Sequence, residues 1–387
     1  MKLFDTSKQG YVEVKAGPVF RLYVCGITPY DSAHLGHVFT FMTYDLLQRR
    51  LEDLGHKVQM VRNITDVDEP IYAKAADLNI HYTELARAEA ESFGKIMDRL
   101  YFRPLFAEPR ASEYIDKMAI TVKELLDTGF AYRLHEDIYF DISKYPKFGS
   151  FSNFDDRLLY NFMGSRGGDP KRSGKRNPLD FLLWRGIDDP KDPAQWESVV
   201  GTGRPGWHIE CTVMSSDILG LPFDLHGGGT DLIFPHHECE IAQSEGLGWG
   251  NPAKTWMHVS PMLYAGEKMS KSLGKLVFAK DLLNDYEPEV IRLALMNYHH
   301  RIGGEWQPEL LDEAKVLIGQ IRNVKTSEEV AIRLLEAVRS ALDEDLDTPA
   351  VIDAMRQYAT TSNVSHEITG GNEVLHRTLD LLGLVKN

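Results

Sequence analysis

Hydrophobic positions along this chain switch between two periods. From Phe20 to Cys25 the apolar residues form a compact, strand-like run that ends in Gly26. From Val38 to Leu54 they recur at three- and four-residue steps (Val38, Phe39, Met42, Leu46, Leu47), which predicts a helix. After the turn Gly55-His56, Lys57–Ile64 reads as a second strand. Strand, helix and strand in close succession make a βαβ unit and imply a parallel, doubly wound α/β sheet.

The same pattern is followed downstream. Ile80–Leu100 and Ala111–Thr128 carry the helical period. Ala131-Tyr132 and Asp137–Ile142 read as short strands, and a loop rich in Gly, Lys and Arg covers Ser165–Arg176. A helix is expected over Cys211–Ile218, and a strand over Phe223–Leu225 leads into a glycine turn, Gly227-Gly228-Gly229. Phe234-Pro235-His236 opens another helix, and Met257–Met262 is the last strand. Past Asp281 the chain reads as helical: Pro288–Asn297, Pro308–Val324, Ser327–Asp343, Pro349–Asn363 and Glu373–Leu382. Thr348 is the expected N-cap of the fourth of these, with Pro349 in its first turn. The expected organisation is a catalytic α/β domain from 1–115 and 200–262, interrupted by an insertion at 116–199. A lysine-rich loop and junction span 263–305, and a small helical bundle fills 306–387. There is no internal repeat and no low-complexity segment.

Composition narrows the class. With 43 basic and 57 acidic residues the net charge is −14, which argues against indiscriminate binding to nucleic acid or membrane. Met1–Gly10 lacks an apolar signal core and no stretch has the length of a membrane span, so a soluble cytoplasmic protein is expected. Three cysteines make no disulfide framework and fit a reducing compartment. Cys239, flanked by Glu238 and Glu240, reads as a small buried residue. The loop 165–176 carries five cations in an acidic protein, either a solvated surface loop or a neighbour of an anionic ligand.

The chemistry gathers at strand tips. His34-Leu35-Gly36-His37 stands at a helix entrance, where unsatisfied N–H groups and the helix dipole favour phosphate. Asn63–Asp68 lies at the C-terminal end of the second strand, where ligands of such sheets bind. Lys268-Met269-Ser270-Lys271-Ser272, between Gly266 and Gly274, suits a mobile clamp on polyphosphate. Cys25, Cys211, His236 and Glu240 supply thiolate, imidazole and carboxylate; His236 and Glu240 share a helix face. Their spacing is not that of a local zinc finger, so a metal rests on placement alone.

Taken together, the HLGH and KMSKS motifs resemble those of class I aminoacyl-tRNA synthetases, over roughly residues 1–300. More narrowly, the contexts of Cys25, Trp207-His208-Ile209-Glu210-Cys211 and His236-His237-Glu238 are similar to the cysteine-specific branch. That branch holds two activities: cysteinyl-tRNA synthetases, and the ligases of the mycothiol pathway that join cysteine to glucosaminyl-inositol. Gly26-Ile27-Thr28-Pro29, Thr65-Asp66-Val67-Asp68-Glu69-Pro70, Arg166-Gly167-Gly168-Asp169-Pro170 and the short C-terminal part look like the ligase. Glu240, the run His236–Gln243, Lys275 and Ser165 depart from the usual ligase pattern. The ligase is the preferred reading, with tRNA charging second and a non-catalytic binding paralogue third.

The resemblance implies a Rossmann-type class I synthetase catalytic domain, a substrate-binding zinc, one per chain, and ATP with Mg2+. It implies His34, His37, Lys268 and Lys271 as the catalytic residues. Cys25, Gly26, Ile27, Thr28, Thr40, Asn63, Ile64, Thr65, Trp207, Gly229, Thr230, Asp231 and Met262 would surround the cysteinyl-adenylate. Cys25, Cys211, His236 and, less firmly by family pattern, Glu240 would hold the zinc. The expected partners are L-cysteine, ATP and glucosaminyl-inositol, without tRNA or membrane, acting on a monomer.

Overall fold

The structure, a computed structural model, describes residues 1–15, 17–269, 276–360 and 371–386, and for Lys268 the backbone only. A hairpin of β1 (Lys2–Asp5) and β2 (Gly10–Glu13) opens the chain. β3 (Val19–Ile27), α1 (Leu35–Asp53) and β4 (Lys57–Ile64) form the expected βαβ unit. α2 (Glu69–Leu78) and α3 (Tyr82–Arg99) follow, then α4 (Ile115–Asp127). β5 (Ala131–Leu134) and β6 (Asp137–Phe140) precede α5 (Asp156–Ser165), β7 (Phe181–Gly186) and β8 (Gly203–Pro205). α6 (Trp207–Leu219), β9 (Phe223–Gly229), α7 (Glu238–Gly246) and β10 (Ala253–Val259) complete the second half of the main sheet.

The main sheet has the order β10-β9-β3-β4 and every pair in it is parallel. The chain winds outward from β3 to β4 on one side and resumes from β9 to β10 on the other. β3 and β9 therefore flank a topological switch point, and the crevice beyond their C-terminal ends is where such sheets place ligands. Both faces of β3 are covered, so its alternate residues enter different cores. Leu22 and Val24 join the core of α1 and the C-terminal helices; Tyr23 and Cys25 join that of α4, α6 and the β5–β8 sheet. This explains why β3 reads as a continuous apolar run rather than an alternating one.

β5-β6-β7-β8 form a separate antiparallel sheet between the two halves. β11 (Met262–Tyr264) and β12 (Glu267–Lys268) pair after the main sheet, so the expected strand Met257–Met262 is divided between β10 and β11. α8 (Ala279–Asp285), α9 (Pro288–Leu295) and the two-residue β13 (Gly304–Glu305) lead to the helices α10 (Glu309–Asn323), α11 (Glu328–Asp343), α12 (Thr348–Ala359) and α13 (Gly371–Leu381). Asp347, not Thr348, caps α12: its carboxylate accepts the Ala350 N–H at 3.1 Å, and Thr348 takes the first helical position. Among the described residues no helix is long and apolar enough to cross a membrane.

The helical C-terminal part is welded to α1 by charge. Arg292, fully buried, donates to Asp45 at 2.6 Å and to the Leu382 carbonyl at 3.1 Å. Arg49 donates to the same Asp45 at 2.9 Å, and the Arg103 backbone N–H adds a third bond at 2.7 Å. Burial alone would raise the Asp45 carboxyl, but Arg292 and Arg49 outweigh it and hold it below its ordinary range. A carboxyl depressed in the folded state adds stability that is present above its unfolded value and is lost as pH falls through the folded one. Asp45→Asn leaves Arg292 charged and buried. We expect it to lower the unfolding free energy by about 3–5 kcal/mol in urea titrations at neutral pH, with the difference from wild type shrinking in acid.

Candidate active site and metal centre

Two strand tips and two helix entrances meet at the switch point. β3 approaches β4 so closely at Gly26 that a Cβ there would lie 1.6 Å from the Asn63 carbonyl oxygen. The register slips at this point, and the Gly26 N–H donates to the Asn63 side-chain oxygen at 2.8 Å. Asn63 donates in turn to Thr65 Oγ1 at 3.0 Å. Asn63 and Thr65 thus set the tip of β3 and leave the wall itself to other groups. Ile64 is a buried strand residue beside them.

α1 begins at His34, whose extended backbone makes it the N-cap. The His34 N–H donates to His37 Nδ1 at 3.4 Å, and the two rings stack with centroids 3.8 Å apart. With Nδ1 accepting, a neutral His37 carries its proton on Nε2 and presents a donor. The start of α1 is also tied to the segment after the lysine loop: Leu35 N donates to Val277 O at 2.8 Å, and His34 bridges Phe278. Lys271 and the side chain of Lys268 lie outside the described residues.

A cavity of about 190 Å³ lies against this helix entrance. Of the predicted residues, Cys25, Gly26, His34, His37, Thr40, Gly229, Asp231 and Met262 line it. The sequence reading missed Gly36, Phe41, Leu232, Val259, Pro261 and Met269 in its wall. Thr230 stands in the 3₁₀ turn beside Gly229. Ile27 and Thr28 face a neighbouring cavity of about 270 Å³ instead. Gly227-Gly228-Gly229 is no turn but the end of β9, paired with β10 and in part with β3. Gly227 is needed because the Tyr44 ring occupies the space of a Cβ, at 2.4 Å. The Tyr44 hydroxyl accepts the Gly228 N–H at 2.6 Å and lies 2.8 Å from the Met257 carbonyl, locking α1 to both strand tips.

Behind Cys25 lies a buried cluster. Cys25 Sγ is 3.7 Å from Cys211 Sγ and 3.8 Å from Glu240 Oε1; Glu240 Oε1 is 3.2 Å from His236 Nε2. The ligand atoms of Cys25, Cys211, His236 and Glu240 all lie within 4.8 Å of one another, so the four predicted residues do converge. A second set, Cys25, His226, His237 and Glu240, satisfies the same distance. His226 and His237 were missed because neither follows from the spacing of the other ligands. His237 Nε2 is 3.3 Å from Cys25 Sγ, and His226 Nε2 is 3.0 Å from Glu240 Oε2.

The electrostatics of this cluster ask for a cation. Burial, then the Cys211 thiol and Glu240, push the Cys25 thiol well above its ordinary range. Burial holds His236 and His237 well below theirs, so both are neutral and available as ligands. His208 backs His236 through an Nδ1–Nδ1 contact of 3.0 Å, and Trp207 stacks on His236 with centroids 4.4 Å apart. His258 backs His237 at 2.8 Å and is itself held by Thr6 at 2.7 Å. Such supports orient metal-binding imidazoles. Two thiols, neutral imidazoles and a carboxylate fit a divalent cation of zinc type. Cys239, fully buried, takes no part, and Glu238 instead accepts the Gly149 and Ser152 N–H groups at 2.9 and 2.8 Å.

The basic loop is engaged with its own protein. Arg166 stacks on Phe162 and donates to the Asp231 carbonyl at 2.7 Å and to the Phe234 carbonyl. Arg172 pairs with Asp137 at 2.5 Å, Lys175 with Asp169 at 3.0 Å and Arg176 with Asp141 at 2.8 Å. Arg166 braces the insertion against the segment that follows β9, and the other three cations tie parts of the insertion to each other. For Gly26, a side chain must separate β3 from β4. We expect Gly26→Ala to cost at least about 1–3 kcal/mol of stability in chemical denaturation, whereas Gly94→Ala, inside α3 with open space at the Cβ position, costs nothing.

Residues 12–316 match the family described as tRNA synthetases class I (C) catalytic domain. The chain is 42% identical over 360 residues to the L-cysteine:1D-myo-inositol 2-amino-2-deoxy-α-D-glucopyranoside ligase of Thermobispora bispora, covering 92% of this chain and 89% of that protein. It is 41% identical over 386 residues to the protein of the same name from Nocardiopsis dassonvillei, covering 99% and 94%. Among solved structures, the methionyl-tRNA synthetase of Mycobacterium tuberculosis in complex with methionyl-adenylate superposes with a TM-score of 0.64 at 14% identity, covering 94% of this chain and 88% of that one. The latter likeness speaks for the fold. The parallel sheet with its ligand crevice, the histidine helix entrance and these matches agree, and the chain belongs to the class I (C) tRNA synthetase catalytic-domain family, alongside the L-cysteine:1D-myo-inositol 2-amino-2-deoxy-α-D-glucopyranoside ligases.

Proposed function

We propose that this protein is an ATP-dependent ligase that activates L-cysteine as cysteinyl-adenylate and joins it to the amine of glucosaminyl-inositol in mycothiol biosynthesis. One observation carries the reading: near-full-length identity of 41–42% to ligases of that name, in a chain whose Cys25 stands in both the metal cluster and the wall of the cavity beside His34 and His37.

In the first step the cysteine carboxylate attacks the α-phosphate of ATP, supplied with Mg2+, and pyrophosphate leaves. His37 Nε2 and His34 donate hydrogen bonds to phosphate oxygens as their charge grows, which favours the transition state over the ground state. Lys268 and Lys271 close over the departing pyrophosphate. Gly229, Thr230 and Asp231 take the adenosine side, and the backbone at Met262 flanks adenine. Thr40 and Trp207 hold the amino acid, with Asn63, Ile64 and Thr65 fixing the strand tip behind it.

Cys25, Cys211, His236 and Glu240 would hold the zinc. This set is preferred to the one with His226 and His237 because it offers two soft thiolates. When bound, the ion supplies a soft Lewis-acid position for the substrate's sulfur, which a serine hydroxyl serves poorly. In the second step the acceptor's amine attacks the activated carbonyl, an amide forms and AMP leaves. Positioning of a free amine beside the acyl carbon supplies much of this step. Support for an amino sugar over tRNA comes from the net charge of −14 and from the internal pairing of Arg172, Lys175 and Arg176. The proposal includes a monomeric, cytoplasmic enzyme.

Incubation of the pure protein with cysteine, ATP and glucosaminyl-inositol should give AMP and the cysteinyl conjugate, read by mass spectrometry. Cysteinylated tRNA without conjugate would establish the synthetase reading in its place. Metal analysis should find one zinc per chain in the wild type and less than about a tenth of that in Cys25→Ala. In Glu240→Gln the zinc affinity should fall about 10- to 100-fold; undiminished affinity would assign Glu240 to the surroundings of the ion.

A further inference from the structure

The core around the metal cluster holds a buried hydroxyl that packing alone does not explain. Tyr23 stands on β3 two residues before Cys25, so the two side chains enter the same core, where Cys211 joins them. Tyr23 is paired in register with His226 of β9, and the two rings meet edge-on with centroids 5.3 Å apart. The residue is fully buried, yet its hydroxyl has no partner that meets hydrogen-bond geometry. Buried tyrosines ordinarily find one. Tyr44 does: its hydroxyl accepts the Gly228 N–H at 2.6 Å and lies 2.8 Å from the Met257 carbonyl. A phenylalanine at 23 would fill the same space without stranding an oxygen.

The surroundings name the missing partner. Burial first, then Cys211, Cys25 and Glu240, push the Tyr23 phenol well above its ordinary range, so its oxygen lies in the field of three of the four predicted ligands. Cys211 acts on it by hydrogen bonding as well as by charge, which puts the Cys211 sulfur within the hydroxyl's reach. Cys211 needs such a donor. Its thiol points at Asn63 Oδ1, 3.7 Å away. That oxygen accepts the Gly26 N–H at 2.8 Å while the amide nitrogen donates to Thr65, so the end of Asn63 facing the sulfur is fixed. A thiol can give its proton to an oxygen; a metal-bound thiolate has none to give and meets it lone pair to lone pair. Two thiolates and a carboxylate also bring one negative charge more than a divalent cation cancels, in a space where all four ligands are buried. His237 Nε2, 3.3 Å from Cys25 Sγ, can serve one sulfur. Tyr23 is its counterpart for the other.

We propose that Tyr23 is a positioning residue of the metal centre, whose hydroxyl donates to the Cys211 thiolate when the ion is held, offsets part of the excess negative charge and fixes that sulfur. The inference rests on the reading of Cys25, Cys211, His236 and Glu240 as the zinc ligands, and deepens it. The hydroxyl gains its acceptor only when Cys211 is a thiolate, so Tyr23 ties occupation of the site to the strand that carries Cys25.

The test is Tyr23→Phe in the full-length protein, which removes the hydroxyl and keeps the ring. Zinc affinity, measured by competition with a chromogenic chelator, should fall about 10- to 100-fold. In the cobalt-substituted protein the thiolate-to-cobalt charge-transfer band should move to lower energy, because a thiolate without a donor holds its electrons less tightly. The urea midpoint of chelator-treated protein should stay level or rise, since the variant buries no stranded hydroxyl. Unchanged affinity with an unmoved band would overturn the proposal. Weakened affinity with an unmoved band and a lowered midpoint of the chelator-treated protein would overturn it too, and make Tyr23 a packing residue only. Wild-type protein that takes up no zinc would instead bring down the metal reading, whatever the variant does.

Discussion

Two thiols, neutral imidazoles and a carboxylate share one buried space around Cys25, and bringing so many polar groups out of water is costly. Most of the site follows from that constraint. Cys25 and Cys211 come from β3 and α6, Glu240 from α7 and His236 from the helical turn just before it, so separate elements of the sheet's second core must converge on one point. Burial keeps the imidazoles neutral and the Cys25 thiol protonated. An arriving cation would therefore displace a proton and join the elements that supply its ligands.

The second constraint is geometric. Class I sheets put their ligands beyond the strand tips, and here each tip is trimmed to let backbone or ring approach: Gly26 against the Asn63 carbonyl, Gly227 against Tyr44. Cys25 stands next to Gly26, so the metal cluster and the histidine entrance of α1 share one strand end. A substrate sulfur bound on one side and a phosphate bound on the other would meet at Cys25 and Gly26 of β3. The buried Asp45–Arg292 pair holds the C-terminal helices on α1 from the far side and keeps that helix entrance in place.

Much of this was legible in the sequence, and the parts that were not share a cause. β3, α1 and β4 stood out because a buried parallel strand and a long helix have distinct periods, even though α1 is buried on nearly every face. Cys25, Cys211, His236 and Glu240 were found through motif context, while spacing alone could not join to Cys25 residues 186 or more positions away. His226 and His237 escaped for that reason, as did the cavity walls built by Phe41, Val259 and Pro261. The glycine run 227–229 reads as a turn because glycine is a poor strand former, yet pairing with β10 and β3 overrides that propensity. The basic loop left two readings open, a solvated surface and a neighbour of an anionic ligand, and spacing could not foretell the partners that tertiary contacts give Arg166, Arg172, Lys175 and Arg176 within the chain. The helix α2 was hidden behind the polar turn that caps it.

In the proposed function one site recognises cysteine by its sulfur and activates it beside the stacked histidines. Calorimetric titration of the zinc-loaded protein with non-hydrolysable cysteinyl- and seryl-adenylate analogues tests this most directly. One molecule of the cysteinyl analogue should bind per chain, and the seryl analogue at least about a hundredfold more weakly. Equal affinity for the two would contradict the account.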